Sequence, residues 1–154
     1  MNRFLGITGV ALGIAFTLAM TVYAFANAGS ADKMMGVIVS GRNATLDVAA
    51  QPGATGSITV RSLNVPGPSW IVVHLDMDGK PGPRVGLLEV PAGTSTDVRV
   101  PIDSVELTDK LIVALHADHG VAHAFDFNMK AFATSPDKPY FVDGKELALE
   151  VAVR

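Results

Sequence analysis

A chain of 154 residues with no cysteine, carrying 12 Lys+Arg against 15 Asp+Glu for a formal charge of −3, excludes several classes at once. Disulfide scaffolds, thiolate nucleophiles, Cys-ligated zinc, iron–sulfur clusters and Cys-ligated blue-copper sites all need a residue it lacks. Mild acidity without a Lys/Arg cluster argues against nucleic acid as a partner, and the length suits one domain.

Residues 1–29 read as a signal peptide or a transmembrane anchor, apart from the globular remainder. After Asn2 and Arg3 no charge occurs from Phe4 to Ala31. The almost wholly apolar stretch 4–26 is long enough, at ~1.5 Å per residue, to cross a bilayer core of ~30 Å as one helix. Two readings stay open. Ala24-Phe25-Ala26 and Ala26-Asn27-Ala28 each give the A-x-A cleavage pattern, yet the run exceeds an ordinary signal h-region. Gly9 and Gly13 add the G-x-x-x-G spacing of closely packed membrane helices. Arg3 keeps the N-terminus cytoplasmic, so either reading puts the domain outside the membrane, in the cell envelope. An uncleaved segment would make the membrane a partner through residues 4–26, together with a protein in or at it.

Residues 30–154 form the domain, and all nine prolines lie here, punctuating short β-type runs. These are Val37–Ser40, Ala44–Gln51, Ser57–Leu63, Trp70–Met77, Val85–Val90, Thr96–Ile102, Lys110–Asp118, Ala122–Phe127 and Glu146–Val153. Ile58 and Val60 oppose Thr59 and Arg61; Val98 and Val100 oppose Asp97 and Arg99. Leu147, Leu149, Val151 and Val153 oppose Ala148, Glu150 and Ala152. Period-two alternation over short runs with close turn signals predicts an all-β antiparallel sandwich or barrel, of seven to nine strands in two sheets. Asp78-Gly79 and Asp143-Gly144 are hairpin dipeptides. Pro81, Pro83, Pro91 and Pro101 mark strand edges and ends, because proline has no amide to donate. The expected core contains Trp70, Val72, Val98, Val100, Val113, Leu115, Leu149 and Val151.

Histidines are the most suggestive side chains. His74 closes an apolar strand, and His116, His119 and His123 fall within eight residues. On extended strands His116 shares a face with Asp118, and His74 with Asp76. If the two strands pair, these groups could converge and bind zinc or copper through neutral imidazoles. The plainer alternative has His74 and His116 bonded to a neighbouring carboxylate or carbonyl to fix a loop, with His119 and His123 solvated. Asp76-Met77-Asp78-Gly79 lacks the further ligands of a calcium loop and reads as a turn. The G-x-S-x-G, H-E-x-x-H and S-x-x-K patterns are missing, so no catalytic or cofactor-binding residue is assigned.

Several strings in fixed order carry a resemblance: P-S-W-I-V-V-H at 68–74, P-G-P-R-V-G at 81–86 and P-A-G-T-S-T-D-V-R-V at 91–100. L-H-A-D at 115–118, F-D-F at 125–127 and P-Y-F-V-D-G at 139–144 continue it. The chain resembles an uncharacterised extracytoplasmic β-sandwich domain of haloarchaeal surface proteins and of bacterial envelope proteins, including those of Chloroflexi. That resemblance implies an immunoglobulin-like or cupredoxin-like sandwich, secreted or surface-anchored, preceded here by one hydrophobic helix, and carries over no activity. His74, His116 and Asp118 match its typical positions; His119 and His123 do not. The expectation is a non-enzymatic binding or structural module of the cell envelope. A single-span accessory subunit of a membrane complex is one alternative. A periplasmic copper- or zinc-binding protein using His74, His116 and Asp118 is another.

Overall fold

The computed structural model describes residues 39–154 except Arg42 and Ser104, so the expectations for the apolar helix, its cleavage and the boundary at residue 30 lie outside the described residues. Ten strands follow in chain order. They are β1 (Val39–Ser40), β2 (Thr45–Asp47), β3 (Ser57–Val65), β4 (Ser69–Asp76), β5 (Pro81–Val90), β6 (Gly93–Pro101), β7 (Lys110–Ala117), β8 (Tyr140–Val142), β9 (Lys145–Glu146) and β10 (Ala148–Ala152). A 3-10 turn at Met129–Ala131 is the one helical element among the described residues.

Alternation sets the layers. One antiparallel sheet has the order β10-β7-β4-β5 and another β2-β3-β6. Ile58 and Val60 from β3, Ile71 and Val73 from β4, and Leu111, Val113 and Leu115 from β7 lie in one shared core, all almost without exposure. The chain is therefore all-β with antiparallel sheets around a common core, in keeping with a β-sandwich. A third, small sheet has the order β1-β8-β9, in which β1 runs parallel to β8.

Both expected hairpins form. Asp78 and Gly79 have φ of 55° and 76°, and Asp143 and Gly144 have 50° and 76°. Two successive positive φ values are the geometry that matches the twist of flanking strands, and Asp followed by Gly adopts it at low cost. Pro81 begins β5 and Pro101 ends β6, while Pro91 stands where the chain passes from the four-stranded to the three-stranded sheet. Pro83 lies inside β5, which is tolerable because β5 is an edge strand of its sheet.

Four expectations need correction. Among the described residues the strands number ten in three sheets, against seven to nine in two, because the short β1, β8 and β9 form a small sheet of their own. Ala122–Phe127 is not a strand: His123 has φ of 66°, and the Asp126 amide bonds a side-chain carboxylate instead of a ladder. Its alternating phenylalanines pack on the sheet from above. Glu146–Val153 is broken at Leu147, because β9 pairs with β8 while β10 pairs with β7. Leu149 and Val98 are half-buried; β10 and β6, which carry them, are both edge strands and have a neighbour on one side only. Trp70 and Val72 are buried as expected, on the opposite face of β4 from Ile71 and Val73 and so outside the inter-sheet core. That second face leads to the site.

Candidate functional site

β4 and β7 are buried on both faces, which makes them continuous apolar runs rather than alternating ones. Their outer face carries Trp70, Val72 and His74 from β4 and His116 from β7, directly across from Trp70 in register. The segment from Asp118 to Pro139 roofs this face. Phe125 meets Trp70 edge-on at 5.7 Å and His116 at 5.4 Å, and Phe127 meets His116 at 4.8 Å. Arg84, from the neighbouring β5, lies 5.4 Å above the Phe125 ring, a cation–π contact.

The two inner histidines act as hydrogen-bond donors to the main chain. His74 Nδ1 lies 2.8 Å from the Gly82 carbonyl and His116 Nδ1 lies 2.9 Å from the Asp137 carbonyl. A carbonyl only accepts, so Nδ1 carries the proton in both rings. Burial pushes the His116 pKa down to about 4, against the opposing pull of its carbonyl bond. His74 is lowered for the same reason, with the Arg84 charge acting in the same direction. Both rings are neutral at pH 7.

Asp137 is the centre of the roof. Its fully buried carboxylate accepts from the amides of His119 and Gly120 at 3.0 Å each and of Asp126 at 2.6 Å. Ser135 Oγ accepts from the Asn128 amide at 2.8 Å and extends the same fastening. The sequence reading passed over Asp137. Its only signal is a turn-type setting, Ser135-Pro136-Asp137, which does not single it out among 15 acidic residues.

The expected pairings of His116 with Asp118 and of His74 with Asp76 do not occur. Carbonyls reach the rings first, and Asp76 Oδ1 instead accepts from the Gly79 amide at 2.6 Å, closing the β4–β5 turn. Asp118 continues the ladder past β7 through its amide to the Pro68 carbonyl, and its Oδ1 is buried without a partner. Trp70 Nε1 on the same face is likewise unpartnered. His74 and His116 share the outer face with their backbones four positions apart along the paired strands, an offset of roughly 13 Å at ~3.3 Å per residue, and their side chains come near enough for a charge on His74 to lower the His116 pKa further. Among the described residues no three His, Cys, Asp or Glu side chains are grouped to hold a metal ion. His119 is exposed and contributes its amide to Asp137. Also exposed, His123 holds Glu89 at 2.8 Å, and that carboxylate raises its pKa.

Four of the strings singled out in the sequence thus supply the roofed face, through Trp70 and His74, Arg84, His116 and Asp118, and Phe125 and Phe127, whereas Tyr140 lies in the inter-sheet core with its hydroxyl 2.9 Å from Ser69 Oγ, and the string at 91–100 runs into β6 of the other sheet. Comparison with curated proteins and with solved structures gives no match. A family model does match residues 44–154, which is most of the chain and all of the roofed sheet. This chain belongs to the family described as Domain of unknown function (DUF7282).

Proposed function

We propose that this protein is a non-enzymatic module of the cell envelope, an immunoglobulin-like or cupredoxin-like domain held outside the cytoplasmic membrane and working by surface binding or as a structural element. One observation carries the reading. Three residues with chemical potential on the roofed face are used as fasteners: His74 and His116 each donate Nδ1 to a carbonyl, and the Asp137 carboxylate is taken up by three amides. A nucleophile or general base needs a free, solvent-reachable atom beside a substrate space. The Nδ1 bond leaves Nε2 as the free atom of each ring, and at His116 the Phe125 and Phe127 rings close edge-on around that imidazole at 5.4 and 4.8 Å. Among the described residues no third His, Asp or Glu side chain is grouped with His74 and His116, which weighs against the copper or zinc reading. Arg3 followed by the apolar run 4–26, and the resemblance to surface domains of haloarchaea and bacteria, support the location.

The test is surface labelling of intact cells that express the full chain with a C-terminal tag. A membrane-impermeant amine reagent should label the domain's exposed lysines before lysis. Labelling only after lysis would overturn the reading. Intact mass of the same protein then distinguishes a cleaved signal from a retained anchor.

A further inference from the structure

The end of the domain away from the roof holds an open groove. A hollow of about 420 Å³ lies between the turn Gly53–Gly56, the segment after β6 and the C-terminal Val153 and Arg154. It shares Glu106, Leu107 and Arg154 with an adjacent open hollow of about 620 Å³ that reaches the β4–β5 hairpin. Ile102 and Val153, both buried, and the half-buried Leu107 give it an apolar floor. Val105 stands on its wall, 48% exposed, one of few large apolar side chains so open among the described residues.

The rim carries an excess of negative charge. Asp76, Asp78, Asp103, Glu106 and Asp109 line it against only Lys110 and Arg154. That surplus of three negative charges equals the formal net charge of the whole chain, −3. Both cations are already engaged, Lys110 with Glu150 at 2.8 Å and Arg154 with Asp109 at 3.6 Å. Low-dielectric walls under carboxylates of one sign concentrate the field and attract cations. The rim would also repel an anionic lipid surface.

Strand topology fixes which way the groove faces. β4 runs from Ser69 to Asp76, and the groove lies at its Asp76 end. The chain enters through β1, which pairs with β8, and β8 belongs to the Ser69 end through Tyr140 and the Pro139–His116 bridge. The groove is therefore remote from the point where any N-terminal tether joins the domain. The neighbouring edge of β10 is occupied by the chain's own Gln51 and Gly53 amides, so a partner is not offered strand pairing there.

From charge complementarity, we infer that this groove docks a basic peptide segment of a protein partner, with an apolar side chain on the floor formed by Ile102, Leu107 and Val153 and Lys or Arg side chains on the carboxylate rim. The inference names the partner class of the binding module proposed above and rests on that reading for its biological setting. The titration below is made in vitro and is decided whatever the labelling of cells shows.

The experiment uses the full chain in a non-ionic detergent and a fluorescent peptide alternating Lys with Leu. Saturable binding is expected, weakened at least tenfold by the double substitution Asp103→Asn with Glu106→Gln and by Val105→Asp. Asp47→Asn, an exposed carboxylate on β2, should leave it unchanged. A peptide with Ser in place of Leu, and spermine, should bind at least tenfold more weakly, which shows that the floor contributes. No binding of the Lys–Leu peptide, equal affinity in the double variant, or equal affinity for the Lys–Ser peptide would each overturn the inference. Circular dichroism of every variant checks that a loss of binding is not a loss of fold.

Discussion

His116 and Asp137 are joined through the main chain and not through their charges: the imidazole donates to the Asp137 carbonyl at 2.9 Å, while the Asp137 carboxylate is taken up by the amides of 119, 120 and 126. One residue thus ties the roof to the sheet with its backbone and organises the roof with its side chain. A buried carboxylate with three amide donors needs no cation.

Asp137→Ala should cost about 2–4 kcal/mol, since it removes an acceptor from three amides at once, at ~1–3 kcal/mol for each one left unsatisfied and less where water replaces it. Asp137→Asn should fall between this and wild type, keeping one acceptor oxygen. Urea unfolding followed by the fluorescence of Trp70, the single tryptophan, measures both. A cost below ~0.5 kcal/mol would show that the carboxylate does not hold the roof, because surface changes of little consequence fall in that range.

Stability should fall with acidification between about pH 6.5 and 4. Unfolded His116 titrates near 6.5, whereas burial holds the folded group at about 4. Within that interval the unfolded chain binds more protons, so this contribution is complete above pH 6.5 and is lost at up to ~1.4 kcal/mol per pH unit on the way down. His74 is lowered as well and adds to the same slope. Unfolding midpoints at pH 7, 5.5 and 4.5 should therefore converge between wild type and His116→Asn. Parallel profiles would be incompatible with a neutral buried imidazole.

His116→Ala should lower stability by about 1–3 kcal/mol through the unpaired Asp137 carbonyl. Neither form should melt higher on adding zinc or copper. A wild-type midpoint that rises with metal, together with a variant that does not respond, would make the metal reading the better one.

Gly86→Ala should destabilise by ~1–3 kcal/mol, the usual cost of overpacking. A Cβ there would stand 2.8 Å from the Pro101 carbonyl and 3.1 Å from Val73 Cβ, where β5 bridges to Ile102. Gly67→Ala is the control, having nothing within 4 Å of its added Cβ. Thermal melts of the pair decide it; equal midpoints would mean that β5 moves aside freely.

Strand placement was legible wherever one face was wet. Ser57–Val65 shows its buried Ile58 and Val60 through alternation, and the two Asp-Gly hairpins follow from local backbone sterics. Phe125–Phe127 mimicked a strand because packing onto a covered sheet also selects every second residue. Position 137 was illegible for a different reason. Its acceptors' work is done for amides 11 to 18 residues away, and no local spacing records such a link. That His74 and His116 could bond a carbonyl was legible, but not that Gly82 and Asp137 supply it in place of the nearby aspartates, since any carbonyl brought near by the fold serves as well.

The pairing of β1 with β8 has a mechanical consequence. Their ladder is two residues long, supplemented by the Gly41 amide on the Phe141 carbonyl at 2.8 Å. A pulling force applied at Val39 passes through these few bonds before it reaches β2, which is locked to β3 beside the core. Under load β1 should peel first, adding a few residues to the chain ahead of the domain while the sheets stay closed. Such a sacrificial strand would act as a shock absorber, sparing the folded body from abrupt tension.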